Sequence, residues 1–276
     1  MPEVTPTIDE HPVYPVPLAV GGFPAWPLPP DGRGAKVARS VVRAVLGEFG
    51  MPWDLTYDAA VVASELATNA LLHACRTPWT RAASASSGSL EIWAYLSRRT
   101  RPEVVIKVFD PIVGGFPRGP LSRPPWDASG GRGLEVVDAL IGDYGGRWGV
   151  HATRCRLGVR PTPGKTVFFT VPLPDDCGHA VPVRQEPASH LRSAERINAL
   201  LTVRGLRPHV SAGPRTAVVR ARTGVHIWVR EESLSYRLPG QGITRHPPFD
   251  EIEVVEQIVR HCEESPGTLP FPGLRH

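Results

Sequence analysis

Closely spaced cysteines are missing from this sequence. Its four cysteines, Cys75, Cys155, Cys177 and Cys262, lie far apart along the chain. A redox CxxC pair and a zinc site with paired ligands both need cysteines that are close in sequence, so neither is indicated. We expect buried or free thiols in a reducing cytosol.

Long apolar runs and blocks of like charge are missing as well. No apolar stretch approaches the roughly 20 residues that cross a bilayer, and no charged-then-apolar signal segment is seen near the start. We therefore expect a soluble, cytoplasmic protein with no membrane partner. The formal net charge is +4, but the basic residues are spread along the chain and form no block of five or six. The charge pattern therefore gives no reason to expect direct nucleic-acid binding.

A first folded unit is indicated over residues 34–175. It follows a proline- and glycine-rich lead-in, residues 1–33, which we expect to be mostly irregular with a short strand near its end. Apolar residues that recur every three or four positions predict three helices, over residues 35–49, 55–75 and 133–141. Alternating apolar residues predict four strands, near residues 90–96, 104–110, 144–150 and 166–171. Between them, proline and glycine crowd residues 111–131, and loops of that length are usually functional or disordered.

The character of the sequence changes after Pro174, and we place a domain boundary near 176–186. The next stretch predicts a helix over 188–204 and a closing helix over 251–262. Three short strands are predicted between these helices, at residues 217–221, 226–229 and 234–238. Together these elements predict a small α+β domain over residues 186–264, followed by a proline-rich tail over 265–276.

Glu65, Asn69 and His73 follow one another at four-residue steps in the second predicted helix. Four residues make about one helical turn, so the three side chains share one face beside the apolar stripe. A carboxamide oxygen on that face suits Mg²⁺, which prefers oxygen ligands, and a carboxylate can take a proton from a nucleophile. The same spacing also occurs on ordinary solvated helix faces, so it does not decide the function by itself.

Two further features follow later in the chain. Asp110 ends a predicted strand, where a carboxylate can accept a hydrogen bond from an exocyclic amine such as adenine N6, although aspartate is also a common turn former before proline. Gly131-Arg132-Gly133-Leu134 opens a predicted helix, where exposed N–H groups and the helix dipole favour a phosphate. Taken alone, this stretch is equally consistent with a flexible loop before an ordinary helix.

Two other nucleotide-binding patterns fail on spacing. The stretch from Gly158 to Thr166 is similar to a P-loop, but five residues separate its glycines where four are required, and Lys165 enters a strand. The turn at 131–133 lacks the third glycine of a dinucleotide fingerprint.

The order of the remaining motifs resembles the GHKL superfamily, whose ATP-binding domain has the Bergerat fold. Glu65 and Asn69 match its N box, Asp110 its first glycine box, and residues 132–134 its second. The residues in these motifs most resemble those of the bacterial anti-sigma-factor serine kinases. The resemblance implies an α/β fold class: a two-layer α/β sandwich with a mixed sheet and helices on one face, followed here by the small C-terminal α+β domain.

The resemblance also implies roles for these residues. Asn69 would coordinate the Mg²⁺ that bridges the phosphates of ATP, Glu65 would be the general base, and Asp110 would bind the adenine amine. The family usually continues its first glycine box as Asp-x-Gly-x-Gly. Here Asp110 is followed by Pro-Ile-Val, and the glycines come later, at Gly114 and Gly115, so a remodelled lid loop is expected.

Further roles are implied on the phosphate and adenine sides of the nucleotide. His73 would line the phosphate side or simply pack, and Thr166 would lie near the adenine. The phosphates would be held by the run Gly131-Arg132-Gly133-Leu134, through the backbone of its two glycines and the charge of its arginine.

The implied function is that of a Mg·ATP-binding regulatory protein. It would phosphorylate a serine on, or bind, a partner such as a sigma factor, an anti-anti-sigma factor or a transcription regulator. One alternative is a non-catalytic module in which ATP only orders the 111–131 loop, and another is a scaffold that has lost its site. The C-terminal domain would recognise the partner or mediate homodimerisation.

Overall fold

The computed structural model describes residues 16–75, 89–111, 132–158, 160–174 and 189–265. Within these ranges the chain forms an α/β architecture of five α-helices, one short 3-10 helix (Leu18–Val20) and two five-stranded sheets. The helices are α1 (Arg33–Gly47), α2 (Trp53–Cys75), α3 (Arg132–Asp143), α4 (His190–Val203) and α5 (Glu251–Glu264). The first sheet contains β1 (Ala25–Pro27), β2 (Glu91–Ser97), β3 (Glu103–Asp110), β4 (Trp148–Arg154) and β5 (Pro163–Pro172). The second contains β6 (His209–Ala212), β7 (Ala217–Arg222), β8 (Val225–Val229), β9 (Leu234–Arg237) and β10 (Ile243–His246).

The strand order of the first sheet is β1-β2-β3-β5-β4. Each pairing among these described strands is antiparallel, so the expectation of a mixed sheet is not met in this part of the chain. The short strand expected near the end of the lead-in is β1, which pairs antiparallel with the edge of β2.

Helices α1, α2 and α3 cover one face of this sheet. Every second residue of β2 and β3 points into that layer, for example Ile92 and Ala94 in β2 and Ile106 and Val108 in β3. Helix α1 ends just before Gly50, whose φ of +61° lies in the left-handed region that glycine tolerates. Helix α2 lies against α1, β3 and α3. Its buried residues include many alanines, which allow close packing: Ala59, Ala60, Ala63, Ala67 and Ala70.

The second unit is an antiparallel meander with the strand order β10-β9-β8-β7-β6. Helices α4 and α5 pack on one of its faces around Val219, Ile227 and Val259. The three predicted strands of this unit are confirmed, and the four-residue strands β6 and β10 were missed at its two edges. The segment that would contain the predicted domain boundary, residues 175–188, lies outside the described residues.

The C-terminal unit also covers the other face of the first sheet. Helix α5 lies against β2 and β4 there, and Ile252 of α5 packs among Trp93, Tyr95 and Phe109. The helices of the first unit lie on one face of its sheet, and the C-terminal unit, whose position was not predicted, lies on the other. The C-terminal unit supplies a third layer because these large aromatic side chains need a cover on the second face.

Charged side chains are buried between the sheet and the C-terminal unit. Lys107 Nζ donates to Glu256 Oε2 at 2.8 Å and lies 3.2 Å from His151 Nε2. Arg204 donates to Glu256 Oε1 and, at 2.7 Å, to Thr153 Oγ1. We call the charged residues Lys107, Arg204 and Glu256, together with the neighbouring His151 ring, the buried charge cluster. Because an isolated buried charge is very costly, each member depends on the others.

The sequence also led to expectations about membrane-spanning helices and cysteine pairing, and the described residues bear on both. None of the described helices is both long and apolar enough to cross a membrane. Cys155 and Cys262 are buried, unpaired thiols, as expected. Cys177 and the side chain of Cys75 lie outside the described part of the chain.

Candidate functional site

Helix α2 presents the three polar residues singled out by their spacing. Leu66 and Ala70 belong to its buried stripe, whereas Glu65 and Asn69 are partly exposed and His73 is exposed in the last turn. The prediction that these side chains lie beside the apolar stripe is therefore confirmed. Among the residues that the structure describes, the side chains of Glu65 and Asn69 have no hydrogen-bonded partner. Their carboxylate and carboxamide oxygens thus remain available to a ligand.

Asp110 lies on the same side of the sheet as α2. Val104, Ile106 and Val108 point toward the helices, and strand alternation puts Asp110 next in that series. Its side chain is buried at the end of β3. Since α2 contacts both β3 and α3, the fold brings the three motif-bearing elements into one neighbourhood on the helical face.

Lys165 is the residue of this neighbourhood that sequence reasoning missed. It lies directly opposite Asp110 in the β3–β5 pairing, and its Nζ is 3.3 Å from Asp110 Oδ2. The side chains are only 17% and 4% exposed, so the ammonium group compensates the carboxylate in a largely buried setting. The sequence contained one signal for it, the lysine of the rejected P-loop pattern, but not the strand register that puts it beside Asp110.

Thr166 is not brought to Asp110. In the β3–β5 register it lies opposite Phe109, whose ring is on the second face of the sheet. Its hydroxyl is buried and donates to the Val108 carbonyl at 3.0 Å. Thr166 and Asp110 therefore lie on opposite faces of the sheet, because Thr166 follows Lys165 and neighbouring side chains of a strand alternate. The expected position of Thr166 near the adenine stays a prediction.

Gly164 allows β5 to pass close to Asp110. A methyl group at Gly164 would lie 2.4 Å from the Asp110 carbonyl oxygen and 2.6 Å from the Phe109 ring. No side chain fits at that distance, so the glycine is required for the Asp110–Lys165 pairing.

The glycine-rich run before α3 is described only in part. Arg132, Gly133 and Leu134 form the first turn of α3, which confirms that a helix opens at this point. Their side chains, together with Gly131 and the whole 112–131 loop, lie outside the described residues. A phosphate role for this run therefore stays a prediction.

The acidic and histidine side chains do not form a metal-binding cluster by themselves. In the described ranges there is no group of three or more His, Cys, Asp or Glu residues that could hold a metal ion. A Mg²⁺ held mostly by phosphate oxygens and water needs only one or two protein ligands, and Asn69 with its free carboxamide fits that requirement.

Comparison with known proteins does not assign a family to the chain. Its sequence matches no protein-family model and no curated protein. The GHKL-like motif order therefore stands as a resemblance in sequence, carried by α2, the end of β3 and the start of α3.

Proposed function

We propose that this protein binds Mg·ATP on the helical face of its first sheet and acts as a regulatory protein. Like the anti-sigma-factor serine kinases that it resembles, it would phosphorylate or bind a partner such as a sigma factor, an anti-anti-sigma factor or a transcription regulator. The observation that carries the proposal is the position of Asp110, buried at the end of β3 on the same face as the helix with Glu65 and Asn69.

Each residue has a defined task in this proposal. Bound Mg·ATP supplies the γ-phosphoryl group and the metal charge that offsets its negative charge. Asn69 offers an oxygen to Mg²⁺, and Asp110 accepts from the base amine. Glu65 would take the proton of the attacking serine hydroxyl while the γ-phosphoryl group leaves ADP, a task for which Glu65 needs to be accessible, as it is.

Calorimetric titration of ATP with and without Mg²⁺ tests the proposal. We expect Asn69→Ala to weaken Mg·ATP binding about 10- to 150-fold, as expected for losing a contact to a charged group. Asn198→Ala is the matched control, because Asn198 is a partly exposed helical asparagine on α4. Equal affinity of Asn69→Ala and wild type would remove Asn69 from the site.

Turnover is tested separately. Glu65→Ala should abolish phosphate transfer to a serine or ATP hydrolysis while leaving ATP binding in place, and Glu195→Ala on the exposed face of α4 should change neither. Equal rates in wild type and Glu65→Ala would remove Glu65 as the general base.

The Asp110–Lys165 ion pair favours a second candidate, a non-catalytic module that binds nucleotide without turning it over. A lysine ammonium at 3.3 Å competes with the base amine for the same carboxylate, which weakens the nucleotide contact. Lys165→Met should then raise ATP affinity, and the wild type should bind ATP without releasing phosphate. Complete absence of ATP binding in both proteins would leave only the scaffold alternative.

A further inference from the structure

The second sheet leaves one face uncovered by α4 and α5. Its inward side chains, such as Val219 and Ile227, are buried against those helices. The alternating side chains point the other way, and all of them except the buried Ser235 are partly or fully exposed. We call this surface the open sheet face, formed by His209, Ser211, Val218, Arg220, His226, Trp228, Ser235, Arg237, Ile243 and Arg245.

The strand register arranges the open sheet face in two parallel rows. Residues directly opposite each other on neighbouring strands have Cβ atoms about 5 Å apart. The first row is His209, Arg220, His226, Arg237 and Ile243. The second row is Ser211, Val218, Trp228, Ser235 and Arg245.

Among the described residues, no carboxylate forms an ion pair with the arginines of this face. None of the residues in β6–β10 is Asp or Glu. Arg220, Arg237 and Arg245 are exposed, and none of them forms an ion pair with another residue in the described ranges. Arg220 and Arg237 flank His226 on its two neighbouring strands, about 10 Å apart. Two exposed guanidinium groups on the same face of the sheet as His226 attract anions such as phosphates.

An aromatic platform lies within this positive surface. The His226 and Trp228 rings are stacked, with centroids 6.0 Å apart and planes 28° apart. Both residues are partly exposed on β8, the middle strand of the sheet. Phosphates alone would need only the arginines, but a partly exposed aromatic pair also offers a surface for a flat ring.

We propose that the open sheet face binds single-stranded nucleic acid. Unpaired bases stack on the Trp228–His226 platform, and the phosphates lie along Arg220, Arg237 and Arg245. Aromatic side chains on an open antiparallel sheet, bordered by cations, are a general way to hold single strands, since stacking tolerates any base. An acidic peptide would use the arginines but would leave the indole face without a function.

Fluorescence anisotropy of a labelled 12-nucleotide single strand, titrated with the full-length protein, tests this site. DNA and RNA strands of the same sequence distinguish the two sources of the ligand. Trp228→Ala should weaken binding about 5- to 150-fold. The double variant Arg220→Gln/Arg237→Gln should lower the slope of log affinity against log salt by about 1.4. Arg39→Gln/Arg43→Gln on α1 removes the same charge from the other unit and should leave the slope unchanged.

Additional variants keep the test decisive. Trp228→Phe retains a stacking ring and should bind nearly as wild type, which separates lost stacking from lost folding. Arg220 and Arg237 are exposed, so their replacement should not disturb the fold. Asn69→Ala should bind the strand as wild type does, so that failure of this site and failure of the ATP site are distinguishable.

Several results would overturn the proposal. The first is the absence of saturable binding to either the DNA or the RNA strand. The second is a loss of strand affinity in Arg39→Gln/Arg43→Gln equal to that in Arg220→Gln/Arg237→Gln. The third is a Trp228→Ala variant that binds the strand as tightly as wild type. Arginine-dependent binding of a poly-glutamate peptide or of phosphatidylserine vesicles that is insensitive to Trp228→Ala would assign the face to an acidic protein or a membrane instead.

Discussion

Replacing Glu256 with glutamine should destabilise the protein more than almost any other single polar change. Glu256 is the only carboxylate in the buried charge cluster, where it faces Lys107 and Arg204. All three side chains are at most 3% exposed. Glutamine keeps the shape of the side chain but removes its charge, so Lys107 and Arg204 both lose the buried carboxylate with which they pair.

The magnitude follows from the burial of the cluster. Removing one partner of a buried ion pair costs about 3–5 kcal/mol. This is a large share of the roughly 5–15 kcal/mol by which proteins are stable. At about 2–4 °C per kcal/mol, the melting temperature should fall by about 6–20 °C.

The effect should also depend on pH. Burial alone would raise the pKa of Glu256, but the charges of Arg204 and Lys107 outweigh it and hold the pKa well below its usual range. The charged form is therefore favoured by folding, so its stabilisation is complete above the unfolded value of about 4.3 and is lost as the pH falls below it. The difference in stability between wild type and Glu256→Gln should accordingly shrink as the pH falls from 5 toward the folded pKa.

Urea denaturation followed by circular dichroism measures these differences. Glu264→Gln is the matched control, because Glu264 pairs with Arg260 one turn away with both side chains 40% exposed. Such surface pairs contribute less than about 0.5 kcal/mol. A loss below about 1 kcal/mol for Glu256→Gln at pH 7 would refute the reasoning that the cluster depends on this carboxylate.

Two further predictions concern the sheet around the candidate site. Burial and the nearby Lys107 charge hold the pKa of His151 well below its usual value of about 6.5. Stability should therefore fall as the pH drops below about 6.5, because the unfolded chain takes up this proton first. Proton NMR should show no titration of the His151 ring at about pH 6.5, and His151→Gln should reduce the fall in stability just below that pH. Gly164→Ala should reduce stability by about 2 kcal/mol or more and weaken ATP binding, because the added methyl group would lie 2.4 Å from the Asp110 carbonyl oxygen. Unfolding curves measure the first effect and ATP titration the second. A Gly164→Ala protein with unchanged stability and ATP affinity would contradict the prediction.

Most secondary structure could be predicted from the sequence, because apolar periodicity is a local property. The three-to-four residue spacing of Val41 and Val45 predicted α1, and the alternation of Val104, Ile106 and Val108 predicted β3. The face shared by Glu65 and Asn69 was predictable for the same reason. Strands β6 and β10 escaped because four residues with few apolar positions carry too weak a pattern.

Tertiary packing, by contrast, sets which residues face each other across strands and units. Lys165 meets Asp110, and Thr166 is turned away from it, because of the β3–β5 register. Helix α5 covers the second face of the first sheet, where its Glu256 pairs with Lys107, a residue about 150 positions earlier in the chain. Arginines that look scattered along the chain gather on the open sheet face because alternation and antiparallel pairing bring them to one side. Register and packing depend on contacts between distant segments, and a pattern read along one segment holds no information about them.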